Sequence, residues 1–407
     1  MHILLAWRNI WRNPRRTGVI LTAVIIGVWS MLVLSSLMRG IMEGMIDDGI
    51  ATLTGDIQIH HPKYPADPSV INSIDKPQQV GAVLRQVLPP GSRFTSRVRI
   101  SAVANTARHT YGVSLVGIDP KTEKNMSFLA SSLDAEHFLR EQGGNGLLIG
   151  QALAEHLQTK KGRKIILMAQ DREGQIASRA FRIQDIYDAD MEATEKRFVF
   201  IRQDTAQAML QMGSSVSEFS ILLPRHEMAP DVAAKISNGL SRQSVQVRTW
   251  QEALPLLNVY LDLYDGFVFI WFLVVFTAMG FGIVNTTLMA VFERMREFGL
   301  LKALGMQPLL IVRTILTESF FLLVCGLVAG NALGLATCYV LGSTGIDLSS
   351  LAQGAEFANI SRVIYPAVWL KDLVTANLVV LILGMTISLY PAIKAARFQP
   401  VQAMHYV

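Results

Sequence analysis

Apolar residues are concentrated in four long segments that contain no Asp, Glu, Lys or Arg. These segments are Thr17 to Met38, Gly266 to Phe292, Ser319 to Ile346 and Leu373 to Ile393. Each exceeds the roughly 20 residues that a helix needs to cross a hydrocarbon core of about 30 Å. A buried helix of a soluble protein rarely runs past about 14 residues without a charge. The pattern therefore predicts four transmembrane helices.

The first apolar segment follows a basic N-terminus, so a signal peptide is the alternative. The apolar region of a signal peptide covers about 7–15 residues and is followed by small residues at a cleavage site. Here the apolar stretch is longer and ends in SLMRG at residues 36–40. We interpret it as a retained membrane span. Residues 1–16 place Ile3, Trp7 and Trp11 at helical spacing, which predicts an amphipathic helix on the membrane surface that ends at Pro14.

The long region between the first two spans has the patterns of a folded α+β domain. Alternating or β-rich stretches predict strands, a helical pattern covers 77–88, and residues 121–160 are predicted to be mainly helical. The strand-like stretches are 55–61, 93–116, a hairpin of 164–169 with 177–187, and a strand–helix–strand unit at 218–223, 231–240 and 244–250. Helices packed on a mixed sheet would bury both apolar sets. Residues 39–52 and 250–265 are predicted to extend the first two spans outward as a two-helix stalk.

Positive charges next to the spans set the predicted orientation. Basic residues cluster before the first span, between the second and third spans, and after the fourth, whereas the loop between the third and fourth spans is acidic overall. Because short cytoplasmic segments carry the excess of Lys and Arg, both termini are predicted to be cytoplasmic and the inserted domain periplasmic. We therefore expect a multi-pass protein of the cell inner membrane.

The net charge of +5 does not indicate a nucleic-acid-binding protein. Residues 39–265 contain 25 Lys and Arg against 26 Asp and Glu, so the inserted domain is close to neutral. The positive excess lies beside the spans, where it contacts anionic membrane lipid. Nucleic acid is therefore excluded as a partner.

No motif of a catalytic or metal site occurs in the chain. The sequence lacks the phosphate loop GxxxxGK[ST] and also lacks GxSxG, HExxH and CxxC. The pair His60-His61 has no partner at ligand spacing, so these two histidines are interpreted as solvated side chains and no metal is expected. The chain is therefore predicted not to be an enzyme, and to have no catalytic residue and no cofactor of its own.

The segment NTTLMAVFERMREFGLLKALGM, residues 285–306, leaves the second span and carries a charged turn and a short helix. From residues alone it is either a basic loop that anchors the topology or a helix that docks a cytoplasmic partner. Glu318 lies close to the start of the third span, where a carboxylate costs less than at the middle of the bilayer. We expect it to pair with Arg313 or to make another structural contact; a role in coupling is the alternative. Gly326, Gly330 and Gly334 recur every four residues, which indicates close packing against another span or another subunit.

Four segments resemble the FtsX-like permease family of ABC transporters, the group that includes MacB and the LolC and LolE lipoprotein-release permeases. The first two are the start AWRNIWRNPRRT (6–17) and the ending YPAIKAARFQPVQAM (390–404); NGLLIGQALAEHL (145–157) is similar to the family's periplasmic domain. The segment 285–306 matches the family pattern at Asn285, Thr287, Leu288, Glu293, Arg294, Glu297, Gly299, Lys302, Ala303, Leu304 and Gly305.

The resemblance implies a permease that dimerises with a second copy or a paralogue and binds a separate cytoplasmic ABC ATPase, which holds ATP and Mg²⁺. It implies that residues 293–305 form a coupling helix, with Glu293, Arg294, Glu297, Gly299, Lys302 and Gly305 as its coupling residues. Movement of the ATPase would pass through the stalk to the periplasmic domain, a process called mechanotransmission.

The substrate implied by the family is a lipoprotein, a lipid or another amphiphile at the outer leaflet of the inner membrane. LolC carries a long hook that recruits a periplasmic carrier, whereas the corresponding hairpin here, residues 169–181, is short. The sequence therefore leaves open whether a carrier or accessory protein in the periplasm is a partner of this chain. Two alternatives stay open: a transmembrane regulator of a partner such as a cell-wall hydrolase, and a permease of tripartite efflux.

The predicted layout follows from these patterns and from the resemblance. It comprises an interfacial helix (1–16), a first span (17–39), a periplasmic MacB-like core domain with its stalk (40–265), a second span (266–292), a coupling segment (293–312), a third span (313–341), a periplasmic loop (342–372), a fourth span (373–393) and a cytoplasmic tail (394–407), with the FtsX-like permease domain covering approximately 266–403.

Overall fold

The computed structural model describes residues 8, 11–123, 126–129, 144–189, 191–241, 243–347 and 363–398. The chain forms two compact units. The helical unit contains the described residues of 1–43, 261–348 and 363–407, and the inserted unit contains the described residues of 44–260.

The described helices and strands are named here in chain order. The helices are α1 (Pro14–Gly49), α2 (Pro77–Val87), α3 (Pro120–Glu123), α4 (Gln151–His156), α5 (Glu192–Arg197), α6 (Gln203–Met209), α7 (Ala229–Gly239), α8 (Trp250–Ala253), α9 (Pro255–Glu293), α10 (Met295–Ala303), α11 (Pro308–Thr344) and α12 (Leu370–Arg397). The strands are β1 (Ile57–His60), β2 (Arg93–Asn105), β3 (Thr110–Ile118), β4 (Gly146–Gly150), β5 (Lys164–Gln170), β6 (Ile176–Tyr187), β7 (Phe198–Arg202), β8 (Glu218–Leu222), β9 (Gln246–Thr249), β10 (Ile346–Asp347) and β11 (Val363–Ile364).

Four helical segments of the described residues are long and apolar enough to cross a membrane. They are Pro14–Thr54, Pro255–Glu293, Pro308–Thr344 and Leu370–Arg397. The predicted fold class, four membrane-spanning helices with one inserted α+β domain, is confirmed. Pro14 lies at the start of α1, where the missing backbone N–H of proline costs no hydrogen bond. The predicted surface helix of residues 1–16 lies mostly outside the described residues.

One apolar cluster joins all four long helices of the helical unit. It contains Ile20, Val24, Val28 and Met31 of α1, Phe272, Phe276, Met279 and Ile283 of α9, Leu323 and Leu327 of α11, and Ala376 and Val380 of α12. Other large apolar side chains of the same helices point outward, among them Phe267, Phe281 and Val328. A helix that is apolar on all sides is stable in lipid, since lipid covers the outward face.

The long helices also contact each other through polar side chains. Asn331 of α11 and Asn377 of α12 hydrogen-bond to each other, with the Asn331 Nδ2 donor 2.7 Å from the Asn377 Oδ1 acceptor. Arg39 of α1 donates two hydrogen bonds of 3.0 and 3.1 Å to Asp372 and lies over the rings of Tyr264 and Trp369. These polar groups thus have partners, as burial in an apolar medium requires.

The inserted unit is built on a nine-stranded mixed sheet. Its strand order is β3-β7-β4-β6-β5-β2-β8-β1-β9, with β2 also paired to β3. The pairs β3–β7 and β4–β6 are parallel, and the other pairs are antiparallel. The predicted hairpin is confirmed as β5 and β6, and the predicted strand–helix–strand unit as β8, α7 and β9.

The helical prediction for residues 121–160 is wrong at residues 146–150, which form strand β4. Leu147 and Ile149 belong to one apolar cluster of the unit, and Leu148 belongs to another. Both faces of the strand are therefore buried, so its sequence GLLIG is continuously apolar. Such a run cannot be told from a buried helix by periodicity alone. Within the predicted range, α4 covers only Gln151–His156.

The C-terminal end of α1 is followed by a distorted π-helical turn, Ile50–Thr54, which is fixed to the sheet. Leu53 has a φ of +69°, a value that is uncommon for a residue with a side chain. Its side chain is fully buried in the core, and its carbonyl accepts a hydrogen bond of 2.6 Å from Arg97 Nη1. Arg97 is itself fully buried and donates two further bonds, of 2.7 and 3.0 Å, to Glu123. The turn is therefore over-determined by packing and by a buried ion pair.

A second contact fixes the same end of α1. His226 lies between two carboxylates, with Nδ1 2.5 Å from Asp56 Oδ1 and Nε2 3.3 Å from Asp47 Oδ1. Asp47 precedes the distorted turn and Asp56 follows it; Asp56 also accepts a hydrogen bond from the backbone N–H of Leu223. Burial alone would lower the pKa of His226, but the hydrogen bond and charge of Asp56 and the charge of Asp47 raise it above its ordinary value.

We predict that the stability contributed by His226 depends on pH. A histidine whose folded pKa is raised contributes most below its ordinary value of about 6.5, and this contribution is lost as the pH rises through the folded pKa. The difference in melting temperature between the parent and the His226→Gln variant should therefore shrink as the pH is raised above about 6.5. Thermal unfolding of both proteins in detergent over a pH series measures it; a difference that is constant across the series would contradict the prediction.

Candidate functional site

The connection between α9 and α11 is a tight turn around α10. Arg294 leaves the helical conformation, with a φ of −103° and a ψ of 13°, and so separates α9 from α10. Gly305, just after α10, has a φ of +94°, a value that glycine adopts without strain. Pro308 then begins α11. The predicted coupling segment 293–312 thus consists of the short helix α10, joined to α9 and α11 by two tight turns.

Arg294 is the centre of a charge network in this connection. Its Nη1 lies 2.9 and 3.2 Å from the two carboxylate oxygens of Glu318 in α11, and its Nε donates a hydrogen bond of 3.2 Å to Glu297. Its guanidinium carbon lies 5.1 Å from the ring centroid of Phe298. Of the contacts expected for Glu318, a pair with Arg313 or another polar contact, the structure shows the second, with Arg294 as the partner. Arg294 starts from the turn and reaches Glu318, which is five residues C-terminal to Arg313 on α11.

Two more arginines belong to the charge network: Arg12, which precedes α1, and Arg16, in the first turn of α1. Arg12 lies 2.9 Å from Glu297, and Arg16 lies 3.3 Å from Glu293. Burial alone would raise the pKa of Glu297, but hydrogen bonds from Arg294 and Arg12 hold it below its ordinary value. Glu297 therefore stays ionised near neutral pH. No local pattern indicates these two pairs, because their members are separated by more than 270 residues along the chain.

Lys302 connects α10 to the end of α12. Its ammonium donates hydrogen bonds of 2.9 and 2.6 Å to the carbonyl oxygens of Ala396 and Phe398. Carbonyls in the last turn of a helix have no partner within that helix, so a cation there satisfies them and opposes the negative end of the helix dipole. Gly299 is buried on the inner side of α10, next to Phe298. Phe298 belongs to a cluster that includes Ile311, Ile315 and Ala395.

The other side of α10 exposes three leucines, Leu300, Leu301 and Leu304, with Leu304 77% exposed. They lie among charged residues and not within a long apolar stretch. An apolar patch with a charged rim is typical of a surface that binds another protein.

The three spaced glycines of α11 lie against α1 of the same chain. A Cβ atom built on Gly326 would lie 2.5 Å from Val24 Cγ1, one on Gly330 would lie 2.8 Å from Val28 Cβ, and one on Gly334 would lie 2.6 Å from Leu32 Cδ2. Each distance is far below van der Waals contact, so the two helices approach as closely as they do only because these positions lack a side chain. Of the two packing partners expected from the sequence, the structure places another span of the same chain here.

His60 differs from its interpretation as a solvated residue. It is 2% exposed, and its Nδ1 lies 3.0 Å from the carbonyl oxygen of His61. Its burial follows from the position of β1 in the sheet, which has a strand on each side, β8 and β9. Among the described residues, no group of three or more His, Cys, Asp or Glu side chains could hold a metal ion.

We predict that adding one methyl group at Gly330 destabilises the helical unit. Gly330→Ala should lower the stability by about 1–3 kcal/mol, because the new Cβ overpacks against Val28. Gly342→Ala is the matched control, since no heavy atom lies within 4 Å of a Cβ at this position of the same helix. Melting temperatures in detergent compare the two variants, and equal values would contradict the assigned packing.

Two family models match the chain. Residues 17–239, more than half of the chain, match the MacB-like periplasmic core domain, and residues 267–400 match the FtsX-like permease C-terminal family. The first match covers α1 and most of the inserted unit, and the second covers α9 to α12. The family resemblance predicted from the sequence is thereby confirmed.

Three relatives are similar to the chain at low identity. The lipoprotein-releasing system transmembrane protein LolC of Neisseria meningitidis serogroup B is 22% identical, over 75% of this chain and 76% of its own length. The lipoprotein-releasing system transmembrane protein LolE of Haemophilus influenzae is 20% identical, over 94% of this chain and 92% of its own length. The macrolide export ATP-binding/permease protein MacB of Marinobacter nauticus is 21% identical, over 98% of this chain but only 60% of its own length.

Proposed function

Because this chain belongs to the family of ABC transporter permeases with a MacB-like periplasmic core domain and an FtsX-like C-terminal permease domain, we propose that it works by mechanotransmission. In this mechanism an ATPase on the cytoplasmic side moves the membrane helices, and these move the domain on the other side. The chain is thus a permease subunit, and ATP and Mg²⁺ bind to a separate ATPase chain. The four apolar helices support a multi-pass protein of the inner membrane.

The observation that carries the proposal is that one side of α10 is bound to the long helices and the other side is exposed. One side is fixed to α11 through Arg294 and Glu318 and to the end of α12 through Lys302. The other side exposes Leu300, Leu301 and Leu304. A partner bound to these leucines would therefore act on a segment that cannot shift without shifting the spans. This supports α10 as the coupling helix that docks the ATPase.

The structure of α1 and α9 supports transmission along the helix axis. Each is one continuous helix that runs beyond its charge-free stretch, α1 to Gly49 and α9 from Pro255. A continuous helix resists compression and extension because every turn is hydrogen-bonded to the next. At the outer end of α1, Arg97 and His226 hold the distorted turn to the sheet. We propose that α1 and α9 form the stalk that moves the inserted domain.

The proposed substrate is a lipoprotein, a lipid or another amphiphile at the outer leaflet of the inner membrane. LolC and LolE, whose names describe lipoprotein release, align along most of their own length. MacB, whose name describes macrolide export together with ATP binding, is covered only in part. The names of the two relatives that align along most of their own length support a release permease. The hairpin of β5 and β6 turns within residues 171–175, which supports a chain that does not itself recruit a carrier by a long hook.

We further propose that the working transporter contains two permeases, either two copies of this chain or this chain and a paralogue. Both termini and α10 would lie in the cytoplasm and the inserted domain in the periplasm. This orientation follows the basic residues that flank the helices.

We predict that aspartates on α10 abolish docking of the ATPase. The double variant Leu300→Asp, Leu304→Asp should weaken binding of the native ATPase by roughly 30-fold or more, the loss expected when central apolar anchors are removed. Because both side chains are exposed, the melting temperature of the permease should change little.

Co-purification and stimulation of ATP hydrolysis in reconstituted vesicles measure this effect. The matched control is Leu300→Met, Leu304→Met, which keeps an apolar surface and should keep docking. An aspartate variant that still binds the ATPase and supports normal transport would refute the assignment of α10.

We predict the result of cysteine labelling in intact cells, which tests the orientation of the chain in the membrane. Thr110→Cys, at an exposed position of the inserted unit, should react with a membrane-impermeant maleimide added from outside. Arg296→Cys, at an exposed position of α10, should react only after the cells are opened. The parent chain, with Cys325 and Cys338 in α11, gives the background. The opposite labelling would reverse the topology.

A further inference from the structure

The inserted unit contains an open groove whose volume is about 480 Å³. Strands β1, β2, β3 and β9 line it, together with the first residue of β8, Glu218, and the ends of α5 and α8. No family match or relative assigns a ligand to it. All of the residues that line the groove belong to the inserted unit.

Three arginines on three different elements line this groove. Arg99 belongs to β2, Arg197 ends α5, and Arg248 belongs to β9. The guanidinium carbons of Arg99 and Arg197 lie 5.3 and 5.5 Å from the centroid of the same Phe198 ring. This aromatic ring holds two like charges close to each other. Burial lowers the pKa of Arg197, and the nearby charge of Arg99 lowers it further.

Positive charge in the groove exceeds the negative charge that faces it. Glu218 is the one acidic side chain among the described residues that line the groove. Its Oε2 lies 3.8 Å from Nη1 of Arg99. Glu218 is 1% exposed, and its Oε1 has no hydrogen-bond partner. Within the described part of the chain, no ion pair connects Arg197 or Arg248 to an acidic side chain. Arg248 also donates a hydrogen bond to the backbone carbonyl oxygen of Glu252. Because no carboxylate pairs with Arg197 or Arg248, their remaining N–H donors can bind an anion.

Neutral groups add donors and fix the geometry. The hydroxyls of Ser101 and Ser114 line the groove beside the arginines. Tyr64 is buried and donates a 2.5 Å hydrogen bond to the carbonyl oxygen of Arg99, which fixes the backbone that carries this guanidinium. Burial lowers the pKa of His60, so the imidazole is neutral near pH 7 and does not add to the charge.

We propose that this groove binds a phosphoryl group, as free phosphate or as the phosphodiester of a lipid headgroup. Planar guanidinium groups match phosphate and carboxylate oxygens with paired N–H donors. Cations from three elements fit a tetrahedral anion better than a carboxylate, whose two oxygens lie in one plane. The groove is also much larger than one phosphate ion and has apolar walls at Pro65, Pro68 and Val113, so a substituent on the phosphate can be accommodated.

The test uses the full-length chain in a neutral detergent and without ATPase, so a failure of the coupling proposal cannot affect the result. Isothermal titration calorimetry measures binding of inorganic phosphate against chloride at equal ionic strength. A second titration uses dihexanoyl phosphatidylglycerol below its micelle concentration, against dihexanoylglycerol, which lacks the phosphate. Binding of inorganic phosphate assigns a free-phosphate site, and binding of the phospholipid alone assigns a headgroup site.

The variants are Arg197→Gln and Arg248→Gln, which leave the buried Glu218 and its neighbour Arg99 in place. Each should weaken binding about tenfold or more, because a charge-assisted hydrogen bond is lost. Arg225→Gln is the matched control, since this arginine is exposed in the same unit and does not line the groove. Equal melting temperatures of the three variants exclude unfolding as the cause. The proposal is overturned if neither phosphate source binds, or if the groove variants bind as tightly as Arg225→Gln.

Discussion

The contact between Arg294 and Glu318 is the interaction on which the helical unit depends most. Glu318 is the residue before the charge-free stretch of α11, and a carboxylate within a membrane costs about 2.5–3.5 kcal/mol when it is unpaired. Arg294 offsets that cost with two hydrogen bonds to Glu318. The same guanidinium also holds Glu297, which binds Arg12. One side chain thus connects the end of α9, the helix α10, the helix α11 and the chain that precedes α1. Removal of one partner would leave the other charge buried, which is more costly than the pair itself.

The sequence was sufficient for the four spans because lipid imposes a composition on any helix that crosses it. The partner of the glycines could not be predicted in the same way. Spacing at Gly326, Gly330 and Gly334 indicates a close approach, but it contains no information on which helix approaches, and the structure places α1 there. The partners of Arg12, Arg16 and Lys302 were missed for a similar reason. Their contacts join segments far apart along the chain, and a basic side chain has the same local pattern whether it contacts water, lipid or a carbonyl oxygen.

The inserted unit shows where periodicity is informative. The hairpin of β5 and β6 has one exposed side, so its alternation predicted the strands. Strand β4 has both faces buried, and its continuous run of apolar residues gave no such alternation. His60 was misjudged because burial of β1 depends on its neighbours β8 and β9, which are distant in sequence. The three arginines of the groove can be read from the sequence, but their proximity cannot. They come together only when strands β2 and β9 and the end of α5 meet in the folded unit.

A single carboxylate connects the groove to the outer end of α1. Glu218 lies 3.8 Å from Arg99, which lines the groove, and 3.9 Å from Arg97, which holds the carbonyl of Leu53. Arg97 and Arg99 are two residues apart on β2 and therefore project on the same face of the strand. An anion that binds Arg99 competes with Glu218 for that guanidinium and leaves more of the carboxylate to Arg97. Because Arg97 is fully buried, such a change in its partners acts directly on the distorted turn that follows α1. If the groove binds a phosphoryl group as proposed, its occupancy therefore changes the partners of the arginine that holds the distorted turn.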